Sequence, residues 1–186
     1  MRVIGGKARG RQLKSVPGKQ TRPITDRVKE ALFNILAGDV QGARVLDLFG
    51  GTGAVGIEAL SRGARHVTFV EIAGKPYRVL KENLRLTGFE DFATTVRGDA
   101  FAFLRGNPDE PYDIVYIAPP QYKGMWHKAL EMLDERPDWV TEGGLVIVQI
   151  DPRERKTISL RHFRLRDERR YGDTLLLFYE RIPEEE

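Results

Sequence analysis

The chain contains no cysteine. That excludes disulfides, thiolate metal sites and cysteine nucleophiles. Histidine is scarce too: His66, His127 and His162 are scattered without metal-ligand spacing, so no metal is expected. No apolar run approaches the ~20 residues that a membrane span needs. The N-terminus is charged and lacks an apolar signal core, so a cytoplasmic protein is expected. Repeats and low-complexity stretches are also missing. A length of 186 residues suits one compact domain with a sizeable core. No surplus amphipathic surface asks for a second subunit, so the expectation is a monomer.

What is present is an uneven distribution of charge. The net charge is only +3, yet residues 1–30 carry nine Lys/Arg against Asp26 and Glu30, a net of +7. The remaining 156 residues carry a net of −4, with a second basic cluster from Arg153 to Arg170. A basic arm on a near-neutral body is a footprint for a phosphate backbone. A solvated surface with counter-ions is the plainer alternative.

Residues 2–14 read as two short extended pieces around Gly5-Gly6 and Gly10, a basic hairpin. Pro17 to Pro23 reads as a loop. Val28, Ala31, Leu32, Ile35 and Leu36 then recur at helical spacing, with Thr25 or Asp26 as N-cap and Gly38 as the stop. From Arg44 onward strands and helices alternate. Strands are expected at 44–48, 66–71, 93–97, 112–117 and 143–150, with helices near 53–62, 74–87, 99–105 and 123–134. Such alternation implies a parallel sheet covered on both faces. Phe163–Arg170 and Thr174–Glu180, joined by Tyr171-Gly172-Asp173, read as a terminal hairpin with at least one antiparallel strand. Residues 183–186 read as a frayed tail. The chain thus divides into an extension, 1–38, and an α/β unit, 39–183.

The segment that carries most information is Asp47-Leu48-Phe49-Gly50-Gly51-Thr52-Gly53, between the end of a strand and the start of a helix. Backbone N–H groups of such a turn approach a ligand closely, and the helix N-terminus favours negative charge. Gly51-x-Gly53-x-x-Gly56 also spells the dinucleotide fingerprint, and Glu71 lies 18 residues after Gly53, near the place of a ribose-binding acid. Asp47 argues against a pyrophosphate, which it would repel. It suits a ligand with an ammonium group, as S-adenosylmethionine has. A nicotinamide dehydrogenase would leave both Asp47 and the basic arm without a role.

In a sheet of this kind the ligand sits beyond the carboxyl ends of the strands. Asp47, Glu71, Asp99 and Ala118-Pro119-Pro120 all fall there by topology. Glu71 can accept two ribose hydroxyls, or act as an acid at a helix start. Asp99 can accept an adenine amine, cap the following helix, or do both. Two prolines after a buried strand make a rigid turn that carries carbonyls and no N–H. Carbonyls in a fixed row can hold an exocyclic amine and aim its lone pair. Asp113, at the start of its strand, is too far away to serve as a base.

These residues bring out a resemblance over nearly the whole chain. Arg2-Val3-Ile4-Gly5-Gly6 with Arg9-Gly10-Arg11, the stretch Arg22-Pro23-Ile24-Thr25-Asp26-Arg27 through Asn34, the glycine corner, Glu58 to Ala64 and Tyr171-Gly172-Asp173-Thr174 resemble the RsmD family, guanine-N2 methyltransferases of 16S rRNA. The glycine corner is shared by most methyltransferases; the Arg-Pro-x-Thr-Asp-Arg segment is far more specific. The resemblance implies a Rossmann-like seven-stranded S-adenosylmethionine-dependent methyltransferase sheet with a basic N-terminal hairpin and helix. It implies cofactor contacts from Asp47, Phe49, Gly51, Thr52, Gly53, Glu71, Ile72, Asp99 and Ala100. Ala118, Pro119, Pro120, Gln121 and Tyr122 would form the catalytic loop, with Tyr122 stacking on the base. Arg9, Arg11, Arg22 and Arg27 would hold rRNA, either naked or in the 30S subunit.

The chain departs from the pattern at one place. Amine methyltransferases of this kind carry Asp or Asn, then Pro-Pro, then Phe or Tyr. Here Ala118 replaces the acid or amide, Gln121 takes the fourth place, and the ring moves to Tyr122. An rRNA-binding assembly factor with a degraded site, and a DNA adenine-N6 methyltransferase, are the alternatives that this leaves.

Overall fold

The computed structural model describes residues 1–17 and 23–184. Seven strands form one sheet: β1 Arg44–Asp47, β2 His66–Glu71, β3 Ala93–Arg97, β4 Tyr112–Ile117, β5 Val140–Ile150, β6 Phe163–Tyr171 and β7 Thr174–Arg181. Their order is β3-β2-β1-β4-β5-β7-β6. Strands β1 to β5 pair in parallel, and β7 runs antiparallel to both β5 and β6. The expected seven-stranded sheet and its antiparallel terminal hairpin are therefore both present.

Alternate residues of a strand face opposite sides, and here both sides are covered. Val45, Val67, Phe69, Ile114 and Ile147 join one apolar cluster with α1 Asp26–Leu36, α2 Ala54–Ser61 and α3 Gly74–Thr87. Leu46, Val70, Val115, Val146 and Val148 join the other with α4 Ala100–Arg105 and α5 Met125–Glu135. In α5, Trp126, Ala129, Leu130 and Leu133 form one helical stripe, and each is at most 1% exposed. Truncating Leu130 to Ala in such a setting costs about 2–5 kcal/mol.

Helix α1 is capped by Thr25, whose Oγ1 accepts from the Val28 N–H at 3.2 Å. Gly38 is not its stop. The helix ends at Leu36, and Ala37 adopts φ 45° while its N–H closes the last turn on Phe33 O. A 3-10 turn, Ala37–Val40, follows and buries Val40 in the core. Burial of Val40 offsets the strain of a left-handed alanine. Two other boundaries move. Strand β5 begins at Val140 rather than 143, with Gly143 at φ 76° and a register shift opposite Tyr112/Ile114. Helix α5 begins at Met125, after Gly124 at φ 63°.

The N-terminal segment forms a narrow ribbon rather than a full hairpin. Its one bridge is Arg2↔Gln12, flanked by Val3 N–H to Arg11 O (3.0 Å) and Leu13 N–H to Met1 O (2.8 Å). Val3 and Leu13 belong to the same apolar cluster as α1–α3. Glu58, fully buried in α2, accepts the N–H groups of Ile4 and Gly5 (2.9 Å each) and pairs with buried Lys29 (3.2 Å) and with Arg62 (2.8 Å). At Gly6 the ribbon lies so close to α2 that a Cβ would meet Ser61 O at 1.9 Å. Removing one partner of a buried ion pair costs about 3–5 kcal/mol, so Glu58 is a principal anchor of this segment. The loop reading for 17–23 falls mostly on residues 18–22, outside the described residues, as do Glu185 and Glu186 of the expected tail.

Candidate active site

The carboxyl ends of β1, β2 and β4 open into a cavity of about 490 Å³, a size typical of small-molecule sites. The glycine corner builds its floor. Gly50 N–H bonds Val70 O at 2.8 Å, and Gly53 N–H bonds Gly50 O at 2.9 Å, closing the turn. Gly53 takes φ 94° and caps α2. Gly56 has a packing role: a Cβ there would meet the Phe69 ring at 2.2 Å, so a side chain would push α2 away from β2.

Glu71 ends β2 and staples this corner. Its Oε1 accepts from Gly51 N–H at 2.9 Å and its Oε2 from Ala73 N–H at 2.7 Å. A carboxylate has about four acceptor positions, so two remain for a ligand's hydroxyls. Asp99 combines both roles considered for it. Its Oδ2 caps α4 through the Ala102 N–H (3.0 Å) while the residue lines the cavity. Phe49, Thr52, Ile72 and Ala100 line the same cavity; Ile72 is 64% exposed, and the Phe49 ring meets Phe101 edge-on. Gly53 lies just behind the wall, against Leu80 and Ile57.

Asp47 is 2% exposed and lines the cavity. Burial pushes its pKa from 3.8 up to about 7; the Gly56 N–H opposes this, and the charge of Glu71 adds to it. Its Oδ1 is buried with no hydrogen-bond partner among the described residues. An orphaned carboxylate oxygen of this kind is costly unless a donor arrives, and a cationic donor matches it best.

The opposite wall consists of Ala118, Pro119, Pro120 and Gln121. Tyr122 is not on that wall. It sits at φ 62°, 56% exposed, with its N–H on Glu154 Oε1 (2.9 Å) and its hydroxyl on Asp151 Oδ2 (2.9 Å). Arg153 also bonds that hydroxyl, and its guanidinium lies 5.3 Å from the ring centroid. The Arg153 side chain and N–H hold Asp151 well below the usual carboxylate range. Asp113 accepts from the Arg44 N–H and from Thr141, outside the cavity.

Several cavity residues lie outside the expected set of site residues. Ser15, Val16, Pro23 and Ile24 come from the N-terminal segment. Asp173 and Thr174 come from the β6–β7 turn. Tyr116 donates to Gln149 Oε1, and burial, then the charge of Asp47, raises its pKa far above 10. Gln149 does have a signal: it is the one polar residue in the run Leu145–Ile150. Arg9 and Arg11 are exposed and line a separate depression with Lys7, Thr87 and Phe89. Arg27 is exposed on α1, and Arg22 lies outside the described residues.

The family described as conserved hypothetical protein 95 matches residues 1–180. The chain is 36% identical over 149 residues to ribosomal RNA small subunit methyltransferase D of Escherichia coli, covering 80% of this chain and 74% of that protein. The chain belongs to the RsmD family. The candidate rRNA methyltransferase YlbH of Bacillus subtilis is 39% identical over 81% of this chain and 83% of its own. Among solved structures, the methyltransferase candidate yhhF of Escherichia coli superposes with a TM-score of 0.85 at 32% identity, covering 98% of each chain. An RNA methyltransferase of Salinibacter ruber in complex with S-adenosyl-L-homocysteine shares the fold (TM-score 0.66, 16% identity, 89% of this chain and 97% of that one). Like other members of the RsmD family, the chain is therefore a methyltransferase by fold. Among the described residues no helix is long and apolar enough to cross a membrane.

Proposed function

We propose that this RsmD-family enzyme methylates the exocyclic N2 amine of a guanine in 16S rRNA, with S-adenosylmethionine as donor. The observation that carries the reading is one cavity lined both by a glycine corner, with a buried carboxylate whose Oδ1 has no partner among the described residues, and by a Pro-Pro loop. Asp47 takes the cofactor's ammonium, and Glu71 uses its remaining lone pairs on the ribose. Asp99 accepts the adenine amine through Oδ1 while Oδ2 keeps its capping bond. Bound there, the cofactor supplies a methyl group activated by a positive sulfur.

The acceptor amine is a weak nucleophile because its lone pair is delocalised into the ring. Carbonyls of Ala118 and Pro119, with the Gln121 amide oxygen, accept its two N–H bonds and turn that lone pair toward the methyl. The amine proton leaves to water after transfer. Positioning supplies most of the acceleration, and a missing side-chain acceptor at 118 costs about 10²–10³ by analogy with a lost transition-state hydrogen bond. The guanine enters unstacked, from an exposed loop or flipped out. Arg9, Arg11, Arg22 and Arg27 contact phosphates, so binding weakens steeply with salt.

The test is methyl transfer from labelled S-adenosylmethionine to 16S rRNA and to 30S subunits lacking the modification, followed by nucleoside analysis. N2-methylguanosine at one site is expected. Ala118 favours a second reading, an rRNA-binding assembly factor with a spent site. That reading requires cofactor binding with no transfer to either substrate.

A further inference from the structure

A second basic surface starts at the cavity mouth and is not accounted for by the site. From Arg153 to Arg170 the chain carries eight Lys/Arg against three Asp/Glu. Strand β6, which holds the second half of that run, is the open edge of the sheet. Charge on an edge strand is a common defence against edge-to-edge pairing, but that defence works with either sign. Here the signs are not balanced. Each acid along the edge has an arginine: Asp167 pairs with Arg169 (3.1 Å), Glu168 with Arg155 (2.9 Å), and Glu180 of β7 with Arg164 (3.3 Å). The Glu154 carboxylate is taken by the N–H groups of Tyr122 and Asp151. The charges left over are positive. Arg166, Arg170 and Lys156 are exposed, and no ion pair holds any of them among the described residues. Arg153, its side chain 77% exposed beside Tyr122, is by contrast matched by Asp151 at 3.1 Å.

The edge also points at the site. Strand β6 runs parallel to β4, so its carboxyl end, Arg169-Arg170-Tyr171, lies on the same side of the sheet as the cavity. The turn that follows puts Asp173 and Thr174 into the cavity wall. Three strand spacings separate β6 from β4, about 14 Å. A nucleic acid whose base is seated in the cavity therefore brings phosphates a few nucleotides away within reach of this edge.

We propose that Arg166 and Arg170, with Lys156, form a second phosphate-contacting ridge that holds the rRNA backbone on the β6 side of the cavity, away from the N-terminal ribbon. The ridge rests on the rRNA reading above and deepens it. It adds to the grip of the N-terminal ribbon, which packs on α2 and α3, a second contact at the open edge of the sheet.

The test measures binding to 16S rRNA and to 30S subunits across a salt series, for the wild-type protein and for Arg166→Gln, Arg170→Gln and Arg164→Gln. Arg166→Gln and Arg170→Gln should each weaken rRNA binding several-fold and lower the log–log salt slope by about 0.7–0.9, the value for one phosphate contact. Arg164→Gln removes an arginine already matched by Glu180 and should leave the slope nearly unchanged. Affinity for S-adenosylmethionine and Tm serve as folding controls and should stay constant in all three. Equal slopes for all variants would overturn the ridge while leaving the function intact. A loss confined to 30S subunits would also overturn it, because the occupant would then be a ribosomal protein. Failure of the wild-type protein to bind either 16S rRNA or 30S subunits would contradict the ridge and the function together.

Discussion

The two halves of the cavity are built on different principles. The cofactor half is held by backbone: Gly50 to Val70, Gly53 to Gly50, and Glu71 to both Gly51 and Ala73. Asp47, whose Oδ1 has no hydrogen-bond partner among the described residues, is buried and lines the cavity. In the acceptor half Ala118 contributes no polar side chain, the prolines contribute carbonyls, and the aromatic ring is tied outside the wall by Asp151 and Arg153. Variants in the first half should therefore alter cofactor affinity and leave turnover of bound substrate, whereas variants in the second should leave cofactor affinity and alter the turnover or the binding of the RNA substrate.

The largest effect is expected at Glu71. Glu71→Ala removes two structural hydrogen bonds and the ribose acceptor together, each charged bond contributing about 1.5–3 kcal/mol. Calorimetry should show cofactor affinity reduced by about 100-fold, with a lower Tm. An unchanged affinity would break the division between the halves at its strongest point.

Asp47 gives the next effect, and its sign reverses between ligand and fold. An ammonium needs the ionised carboxylate, and the pKa of the ligand-free group is about 7. Cofactor affinity should therefore rise about tenfold between pH 6 and pH 8 and level off above, and Asp47→Asn should flatten that profile at the weak end. For the ligand-free fold the sign is opposite. The folded pKa is raised, so this group's contribution is full below about 4 and is lost as pH rises through about 7. Asp47→Asn, always neutral, should then stabilise the ligand-free protein at pH 8, by on the order of a few kcal/mol. Thermal unfolding at pH 5 and pH 8 checks this.

Smaller effects belong to the acceptor half. Gln121→Ala should lower kcat about tenfold at constant cofactor affinity, since it removes one acceptor from the amine. Tyr122→Phe keeps the ring but releases it from Asp151. A change of about threefold in KM for RNA is expected, with kcat held; steady-state kinetics on 30S subunits would show it.

The same division decides what could be read from the sequence. Strands β1, β2 and β4 are mainly apolar runs that end at Asp47, Glu71 and just before Ala118, so their carboxyl ends and the residues placed there follow from periodicity and from the right-handed βαβ rule. The fold-back of Ser15–Val16 and Pro23–Ile24 onto the cavity follows from long-range packing through Glu58, Lys29 and Arg62. No local pattern encodes that. Tyr122 meets Asp151 across 29 positions, so its displacement from the wall is a tertiary result as well. The helix stop moved from Gly38 to Ala37 because burial of Val40 outweighs the intrinsic preference of glycine for positive φ.

The most direct test is a single-turnover measurement of methyl transfer to 30S subunits lacking the modification, with wild type and Ala118→Asp side by side at saturating cofactor. Wild type should form N2-methylguanosine, Ala118→Asp should change its rate, and both should bind S-adenosylmethionine equally. Cofactor bound at full affinity with no methyl transferred by wild type, and activity appearing only in Ala118→Asp, would contradict the account.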